Sequence, residues 1–349
     1  MGCGLCNYCS VQAGEVKAFA RDCGFELAGI ARALPLAADS GRYLDWVQQG
    51  MAGAMGYLTD HRAQIRTDPR LLLPSAHSII SVGKLYNGPE PRSTEAGDPD
   101  SGWISRYAWG EDYHEVVREA LEKLVAKLGG GHEWKICVDT APLLERSYAR
   151  EAGLGWIGKN TCLINQEMGS WFFLGEILTS LVIEPDCPPP DRCGTCTRCI
   201  DACPTQAIPK EGYQVDARRC IPYFTIELHG SVPEEMRAGI GRHIFGCDIC
   251  HDVCPWNRQA PVADEPAFEP RHFAPALEDL GRLKEDEFRE MFRKSPVQRA
   301  KYAGFLRNVA IAMGNSGLAK FREPLEELIR FPNEMVAEHA QWALEKLGR

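Results

Sequence analysis

The fold of the central part of the chain is decided by a run of four cysteines, Cys193-Gly-Thr-Cys196-Thr-Arg-Cys199-Ile-Asp-Ala-Cys203-Pro204. Its two-residue gaps let three thiolates surround one cubane iron–sulfur cluster, while the fourth cysteine, before proline, turns towards a neighbouring cluster. A zinc ribbon closes with four ligands and does not need two interleaved Cys-Pro endings. The spacing, that of bacterial ferredoxins, therefore favours iron–sulfur over zinc.

A second run, Cys247-Asp-Ile-Cys250-His-Asp-Val-Cys254-Pro255, has the same ending but one cysteine fewer. Two cubanes need eight thiolates, and Cys220 is the only further candidate between the runs. Cys187 is the alternative to Cys220, although its proline-rich flank disfavours it. We expect one cluster on Cys193, Cys196, Cys199 and Cys254, and the other on Cys203, Cys220, Cys247 and Cys250.

The whole chain has 349 residues, 15 cysteines, 44% hydrophobic residues and a formal charge of −9. This composition can bury the cores of two or three domains and excludes a disordered tail protein. No apolar run reaches the ~18–20 residues of a membrane-spanning helix, and the first residues resemble no export signal. We therefore expect a cytoplasmic, monomeric protein without membrane association, in which clustered thiols bind metal.

Composition divides the chain into four parts. Residues 1–10 form an extension with Cys3, Cys6 and Cys9, which is either a third metal site or a frayed terminus with incidental cysteines. Residues 11–185 alternate helix and strand patterns, as in an α/β (α+β) domain, with strands predicted at 77–83, 134–139 and 170–183. Residues 186–260 form the two-cluster domain, and residues 275–349 are helical throughout.

Two motifs of the first domain carry candidate ligand-binding residues. Asp139 ends a predicted strand, where α/β proteins bind ligands, but it could equally cap a helix that begins near Pro142. The glycines of Gly153-Leu-Gly-Trp-Ile-Gly158 match a dinucleotide loop only weakly, because no strand precedes them. With Lys159 and Asn160, this turn could still approach an anionic or amide-bearing ligand.

Several motifs together resemble the epoxyqueuosine reductase family: SRYAWGEDYH (105–114), VDTAPLLER (138–146), GLGWIGKNT (153–161), DARRCI (216–221), YFTIEL (223–228) and both cysteine runs. The resemblance covers the chain from about residue 14 onward. It implies a cobalamin-binding domain of nitroreductase-like type, a ferredoxin-like double-cluster domain and a C-terminal all-α HEAT-like repeat.

The resemblance also implies an activity. Members of this family reduce the epoxide of epoxyqueuosine to queuosine at the wobble position of tRNA, the last step of queuosine biosynthesis. They use cobalamin and two [4Fe-4S] clusters, which an external low-potential electron donor must reduce. A cytoplasmic reductive dehalogenase-like corrinoid reductase is an alternative, but dehalogenases normally carry an export signal. A ferredoxin-type electron carrier is another, but it would leave the α/β domain without a task.

Residue-by-residue matching to the family implies a set of cobalamin contacts: Arg66, Ser105, Asp139, Lys159, Asn160, Leu163, Ser170 and Asp248. It further implies that no protein ligand replaces the lower base of cobalamin, in agreement with the absence of a DxHxxG sequence. Asp139 is implied as the proton donor, because removal of an epoxide oxygen as water consumes two protons. We expect burial beside the cofactor to raise the pKa of Asp139.

The protein has a net negative charge, as has tRNA. Binding is still feasible, because tRNA phosphates need only a local basic face on the protein. Residues 289–307 contain six cations (Arg289, Arg293, Lys294, Arg299, Lys301, Arg307) and one anion, Glu290. We expect this segment, at the start of the C-terminal helices, to contact tRNA phosphates through Arg293, Lys294, Arg299 and Lys301. A merely solvated helix face is the alternative.

Overall fold

The structure is a computed structural model, and it describes residues 12–95 and 97–348. The residues of the N-terminal extension, including Cys3, Cys6 and Cys9, lie outside the described part. The described strands are β1 (Leu27–Arg32), β2 (Ser78–Leu85), β3 (Trp103–Ile104), β4 (Trp134–Cys137), β5 (Trp156–Ile157), β6 (Leu163–Ile164), β7 (Phe172–Thr179) and β8 (His243–Phe245).

The described helices fall mainly in the first domain and at the C-terminus. They are α1 (Ala13–Asp22), α2 (Ala37–Gln48), α3 (Arg62–Ile65), α4 (Tyr113–Leu128), α5 (Glu145–Glu151), α6 (Arg198–Asp201), α7 (Glu234–Ile240), α8 (Ile249–Asp252), α9 (Leu277–Arg282), α10 (Glu285–Met291), α11 (Lys301–Ser316), α12 (Arg322–Ile329) and α13 (Glu334–Leu347). No helix in the described ranges is long and apolar enough to cross a bilayer.

The first domain is built on a four-stranded sheet in the order β1-β2-β7-β4. The three predicted strands are confirmed as β2, β4 and β7, and every pairing in this sheet is antiparallel. The domain is therefore of the α+β kind, and the rule that places ligands at the carboxyl edge of a parallel sheet does not apply to it. Asp139 nevertheless lies just beyond the end of β4.

Helix α4 packs against β7 and positions one side of the site. Its apolar face, Val117, Leu121 and Leu124, is fully buried. Gly175 of β7 allows this contact, because a Cβ at that position would lie 2.9 Å from side-chain atoms of both Leu121 and Val117. The helix begins after Asp112, whose carboxylate accepts a hydrogen bond from the backbone N–H of His114. This cap holds His114 in the first turn of α4.

The cysteine-rich segment consists of short helices and turns, and it packs against the first domain. Strand β3 pairs in parallel with β8, with Trp103 opposite His243. A π-helical turn at Tyr223–Glu227 follows Cys220 and faces the C-terminal helices. The two cysteine runs are thereby held against the α+β domain.

The predicted C-terminal helices are confirmed as α9 to α13, and α11 runs through their centre. Residues 304–314 of α11 are buried throughout. Their core is continuous with Trp103, Ile104 and Phe245 of the preceding segments. The helical region is therefore packed on the β3–β8 pair rather than standing apart from it.

Candidate active site

Asp139 lies in the turn after β4 with a left-handed backbone conformation, φ 55°. Its Oδ2 is 3.3 Å from Nε2 of His114 and 3.8 Å from Nη1 of Arg299, and its side chain is 46% exposed. The next helix, α5, begins at Glu145, so Asp139 does not cap a helix near Pro142. The carboxylate instead faces an open site between the first domain and the C-terminal segment.

The charges around Asp139 favour its ionised form. Burial works to raise the pKa of Asp139, but the hydrogen bond and charge of His114 and the charge of Arg299 outweigh it and lower that pKa. This direction is opposite to the one expected from the sequence. Burial alone would lower the pKa of His114, yet its hydrogen bonds with Asp112 and Asp139 raise it to about 9. Both shifts favour an imidazolium beside a carboxylate.

Arg299 belongs to this site rather than to a free basic face. Its Nη2 lies 3.0 Å from Oε1 of Glu227, in the turn that follows Cys220. The guanidinium therefore bridges Glu227 and Asp139. Burial raises the pKa of Tyr57, which borders this group, to about 12, with a further contribution from the charge of Glu227.

Two buried carboxyl groups lie behind Asp139. Both carboxyl oxygens of Glu176 on β7, and Oε1 of Glu145 on α5, are buried and have no hydrogen-bond partner in the described part of the chain. Burial raises the pKa of Glu176, and the nearby carboxylates of Glu145 and Asp139 raise it further. Burial without a hydrogen-bond partner thus favours the neutral form of Glu176.

The four cysteines expected to hold the first cluster lie together. Burial raises the pKa of the Cys199 thiol to about 11, and Cys254, Cys193 and Cys196 are near enough to raise it further. The indole of Trp156 packs beside Cys193 and Cys254. Its buried N–H makes no hydrogen bond of ordinary geometry within the described part of the chain, but it lies close enough to the Cys193 sulfur to favour the thiolate form of that cysteine. A sulfur atom of a cluster would accept this N–H, so the residues present fit such a cluster.

The four cysteines expected to hold the second cluster also converge. Burial raises the pKa of the Cys247 thiol, and Cys220 and Cys203 contribute. The thiol of Cys250 lies close to Cys162, and Cys247 and Cys220 are near enough to raise its pKa further. Cys187, the alternative ligand, is exposed. Cys162 is a further thiol of this site that the cysteine spacing did not predict, and its Sγ lies 3.0 Å from Nε2 of His251.

Ser105 and Asp248, two of the implied cobalamin contacts, form one buried cluster. The Asp248 carboxylate accepts hydrogen bonds from Ser105 Oγ at 2.5 Å, from the Arg106 backbone N–H at 2.8 Å and from Trp103 Nε1 at 3.1 Å. Arg66 is also buried and donates to the carbonyl of Tyr57 at 3.0 Å. These polar side chains are held by protein partners.

Three further implied contacts connect the first domain to the cysteine runs. Lys159 Nζ donates to the carbonyls of Gly194 and Cys196 at 2.7 and 3.0 Å. Asn160 Nδ2 donates to the carbonyl of Cys250 at 3.3 Å. Ser170 Oγ lies 2.9 Å from Nδ1 of His251. Leu163, the remaining member, is buried on β6.

Fewer cations of the segment 289–307 are available to a nucleic acid than the sequence indicates. Arg307 is 1% exposed and donates to the carbonyls of Leu228 and Gly230 at 2.7 and 2.6 Å, so it is not available to a nucleic acid. Arg293 is exposed beside Glu290 at 3.4 Å. Lys294 and Lys301 are exposed. With Arg299 at the Asp139 site, the expected phosphate-binding face reduces to Arg293, Lys294 and Lys301.

Comparison with known proteins decides the family. Residues 192–257 match the model of a 4Fe-4S double cluster binding domain, and residues 66–140 match that of epoxyqueuosine reductase QueG, DUF1730. The epoxyqueuosine reductase of Xanthomonas campestris pv. campestris is 41% identical over 346 residues, which cover 96% of each chain. The chain belongs to the epoxyqueuosine reductase family. The resemblance found in the sequence is thereby confirmed.

Other members of the family are also similar to this chain over nearly its whole length. The epoxyqueuosine reductase of Pseudomonas aeruginosa is 39% identical over 345 residues, covering 96% of this chain and 94% of its own. A crystal structure of epoxyqueuosine reductase with an epoxyqueuosine-modified tRNA stem loop superimposes with a TM-score of 0.87 at 31% identity, covering 96% of this chain and 90% of that one. The structure of epoxyqueuosine reductase from Streptococcus thermophilus superimposes with a TM-score of 0.86 at 32% identity. The match covers 95% of this chain and 89% of that one.

Proposed function

We propose that this chain reduces the epoxide of epoxyqueuosine in tRNA to the alkene of queuosine, in the cytoplasm and as a monomer. The observation that carries the proposal is membership of the family together with an open acid site that lies beside a double-cluster segment. Neither alternative accounts for both. An electron carrier has no use for the Asp139 site, and a dehalogenase has no use for exposed cations beside it.

The eight converging cysteines are the proposed cluster ligands: Cys193, Cys196, Cys199 and Cys254 for the first cluster, and Cys203, Cys220, Cys247 and Cys250 for the second. Their two groups correspond to the two sets of neighbouring thiols in the structure. An external low-potential donor supplies the electrons. Family membership supports cobalamin as the third redox group, which when bound supplies the two-electron chemistry at the epoxide.

The residues present fit a large polar cofactor in their chemistry, because hydroxyl, ammonium, amide and carboxylate side chains of the implied set are held beside the cysteine runs. Partly buried Tyr107 is near both Asp139 and Asp248: burial raises the pKa of its phenol, Arg299 opposes this shift, and the charges of Asp139 and Asp248 add to it. We propose that cobalamin is held by the implied set Arg66, Ser105, Asp139, Lys159, Asn160, Leu163, Ser170 and Asp248. Within this set, Lys159, Asn160 and Ser170 also contact residues of the cysteine runs and so keep the first domain packed against them.

Asp139 is the proposed acid for the leaving oxygen. The reaction adds two electrons and two protons to the epoxide, breaks two carbon–oxygen bonds, and releases an alkene and water. Asp139 Oδ2 is 3.3 Å from a histidine that retains its proton up to a pKa of about 9. We propose that Asp139 delivers a proton drawn from His114, so that the pair supplies an acid although the carboxyl pKa is lowered.

The tRNA is proposed to lie across the start of the C-terminal helices. Arg293, Lys294 and Lys301 are exposed there, and Arg299 leads from them to Asp139. Exposed cations near the site attract phosphates without reading sequence. The anticodon stem-loop would thus be positioned by its backbone while the wobble base enters the site.

Complementation tests this proposal. The chain is expressed in a bacterial strain that lacks its own epoxyqueuosine reductase and accumulates epoxyqueuosine in tRNA. Nucleosides from purified tRNA are then analysed by mass spectrometry. We expect queuosine to replace epoxyqueuosine. Persistence of epoxyqueuosine despite expression of cluster-loaded protein would contradict the proposal.

A further inference from the structure

A cavity of about 460 Å³ lies beside α6 and α8, the two short helices of the cysteine runs, which pack against each other. Three of the residues that line it directly precede proposed cluster ligands in the chain, namely Cys199, Cys203 and Cys254. The cavity is therefore bordered by the backbone that holds both clusters. The proposed reaction assigns no role to it.

Three arginines line this cavity: Arg92, Arg198 and Arg258. Arg198 and Arg258 are exposed, and neither guanidinium pairs with a carboxylate within residues 12–95 and 97–348. Arg92 is half-buried, and its Nη1 and Nη2 donate to the carbonyls of Asp252 at 2.9 Å and Asn257 at 3.0 Å. The charge of Arg92 is thus fixed in the wall, while the other two guanidinium groups are open to a partner.

Two aspartates also line the cavity, and other groups occupy their carboxylates. Asp252 is 2% exposed, and it accepts hydrogen bonds from Ser93 Oγ and from the backbone N–H of Thr94. Asp201 is exposed and accepts from Thr197 Oγ1 at 2.7 Å. Three arginines against two aspartates leave a local excess of one positive charge in a protein whose net charge is −9.

The first cysteine run is open to solvent next to Arg198. Gly194, Thr195 and Thr197 are all exposed. Cys247, a proposed ligand of the second cluster, instead packs in an apolar cluster with buried Ile221. Because electron transfer slows steeply with distance, an electron from outside enters most readily where the ligand-bearing turn meets solvent. Arg198 and Arg258 lie on the turns of two proposed ligands of the first cluster, Cys199 and Cys254.

We infer that Arg198 and Arg258, with Arg92 behind them, form the docking face for an acidic one-electron carrier protein. The inference rests on the proposed function, because it takes the clusters to be reduced by an external donor. Each reduced carrier gives up one electron and one cluster gains it. Two such encounters supply the two electrons that one epoxide consumes. Opposite charges steer the carrier to this face and speed its association.

A tRNA backbone is also attracted by arginines, but the position of these two favours a redox partner. They flank proposed cluster ligands, where an electron has to arrive, whereas the modified base has to reach Asp139. The exposed cations expected to bind phosphates lie on another segment, residues 293–301. Binding of tRNA at this face is therefore an outcome that the experiment has to distinguish.

Stopped-flow reduction of the full-length, anaerobically loaded protein tests the inference. The donor is a flavodoxin, a small acidic carrier, in its hydroquinone form. Loss of one electron gives its semiquinone, whose long-wavelength absorption is separate from that of the clusters. Arg198→Glu combined with Arg258→Glu should lower the second-order rate constant at low salt by about tenfold or more, because attraction becomes repulsion. Near 1 M salt, where the screening length is about 3 Å, parent and variant should converge.

A small cationic reductant separates docking from the clusters themselves. Reduced methyl viologen needs no docking face, so turnover driven by it should be no slower in the Glu double variant than in the parent. Arg198→Gln with Arg258→Gln should give an intermediate rate with flavodoxin. Iron and sulfide are counted in every variant to confirm equal loading.

The matched control is Arg21→Glu with Lys123→Glu, which changes the net charge equally at exposed positions of α1 and α4. It should react with flavodoxin like the parent. An equal loss of rate in this control would overturn the inference, because net charge rather than this face would then set the rate.

Two further results would overturn the inference. One is parent-like flavodoxin kinetics in a fully loaded Arg198→Glu, Arg258→Glu protein. The other is weakened stem-loop binding with unchanged flavodoxin kinetics, which would assign the face to tRNA. The proposed function is judged separately, on the parent with methyl viologen as the reductant. Absence of epoxyqueuosine conversion there would remove that function, whatever flavodoxin does.

Discussion

The imidazole of His114 lies with Nε2 3.3 Å from Oδ2 of Asp139. The other ring nitrogen, Nδ1, is 2.7 Å from Oδ1 of Asp112, the residue that caps α4. The cap therefore orients a histidine towards the proposed acid. This arrangement explains how a carboxyl with a lowered pKa can still deliver a proton, because a protonated partner is within reach.

Asp139→Asn should separate binding from catalysis. The amide keeps the size of the side chain but cannot deliver a proton, so turnover of epoxyqueuosine should fall by ~10²–10⁴-fold. Cobalamin binding and cluster spectra should remain. Single-turnover assays with a modified stem-loop measure the rate, and absorption spectra check the cofactors. Parent-like turnover would remove Asp139 from the role of acid.

His114→Gln should change the pH dependence of the reaction. His114 is protonated below its raised pKa of about 9. As pH rises through that value the parent loses this proton, so its turnover should fall. The Gln variant should be slower at neutral pH and should lack the fall near pH 9. Rate profiles between pH 6 and pH 10 measure this. A parent-like profile in the variant would show that His114 does not supply the proton.

Cys220→Ala should damage one cluster. Iron and sulfide should decrease from about eight to about four each per chain, because the remaining set of four cysteines is complete. Cys187→Ala is the matched control and should retain about eight. If the two variants exchanged these results, Cys187 rather than Cys220 would be the internal ligand.

Arg293→Glu combined with Lys294→Glu should weaken binding of the anticodon stem-loop. The slope of log affinity against log salt should flatten by roughly one unit for each lost phosphate contact. Arg21→Glu with Lys123→Glu changes the net charge equally, at exposed positions on α1 and α4, and should have little effect. Fluorescence anisotropy across a salt titration measures both. Equal behaviour of the two double variants would leave the segment as a solvated helix face.

Arg299 requires a separate test, because it contacts Asp139 and Glu227. Arg299→Gln removes the positive charge from the carboxylate and should slow turnover more than it weakens tRNA binding. Comparing the maximal rate with the stem-loop dissociation constant distinguishes these effects. A variant that loses only affinity would return Arg299 to the phosphate-binding face.

Glu176→Gln should reduce the dependence of stability on pH. An unfolded Glu176 ionises near its ordinary pKa of 4.5, whereas burial raises the folded value. Above pH 4.5 the unfolded state gains by releasing this proton, so the parent loses stability as pH rises towards the folded pKa. Thermal unfolding at pH 5 and pH 8 should show a smaller loss in Glu176→Gln. The exposed Glu122→Gln on α4 should behave like the parent.

Sequence spacing predicted the features that depend on local chemistry. The cysteine runs predicted a double-cluster segment, because cubane geometry constrains their intervals. Apolar patterns likewise predicted the strands β2, β4 and β7. The alternation of helices and strands did not reveal that the sheet is antiparallel, since pairing direction depends on contacts between distant segments such as β2 and β7.

The sequence-based predictions missed or misjudged those residues whose roles depend on partners far away in the chain. Arg299 and Arg307 looked alike within one basic segment, yet one faces Asp139 and the other is buried under the carbonyls of Leu228 and Gly230. The lowered pKa of Asp139 depends on His114, 25 positions away in the chain. Cys162 gave no local indication either, since its neighbour His251 lies in the second cysteine run.

The most direct test of the account is conversion of a defined substrate by the purified protein. An anticodon stem-loop carrying epoxyqueuosine is incubated anaerobically with cluster-loaded protein, cobalamin and a low-potential reductant, and its mass is followed. We predict loss of one oxygen atom per stem-loop, dependent on added cobalamin and abolished or strongly slowed in Asp139→Asn. An unchanged substrate mass with fully loaded protein, or equal conversion without cobalamin, would contradict the account.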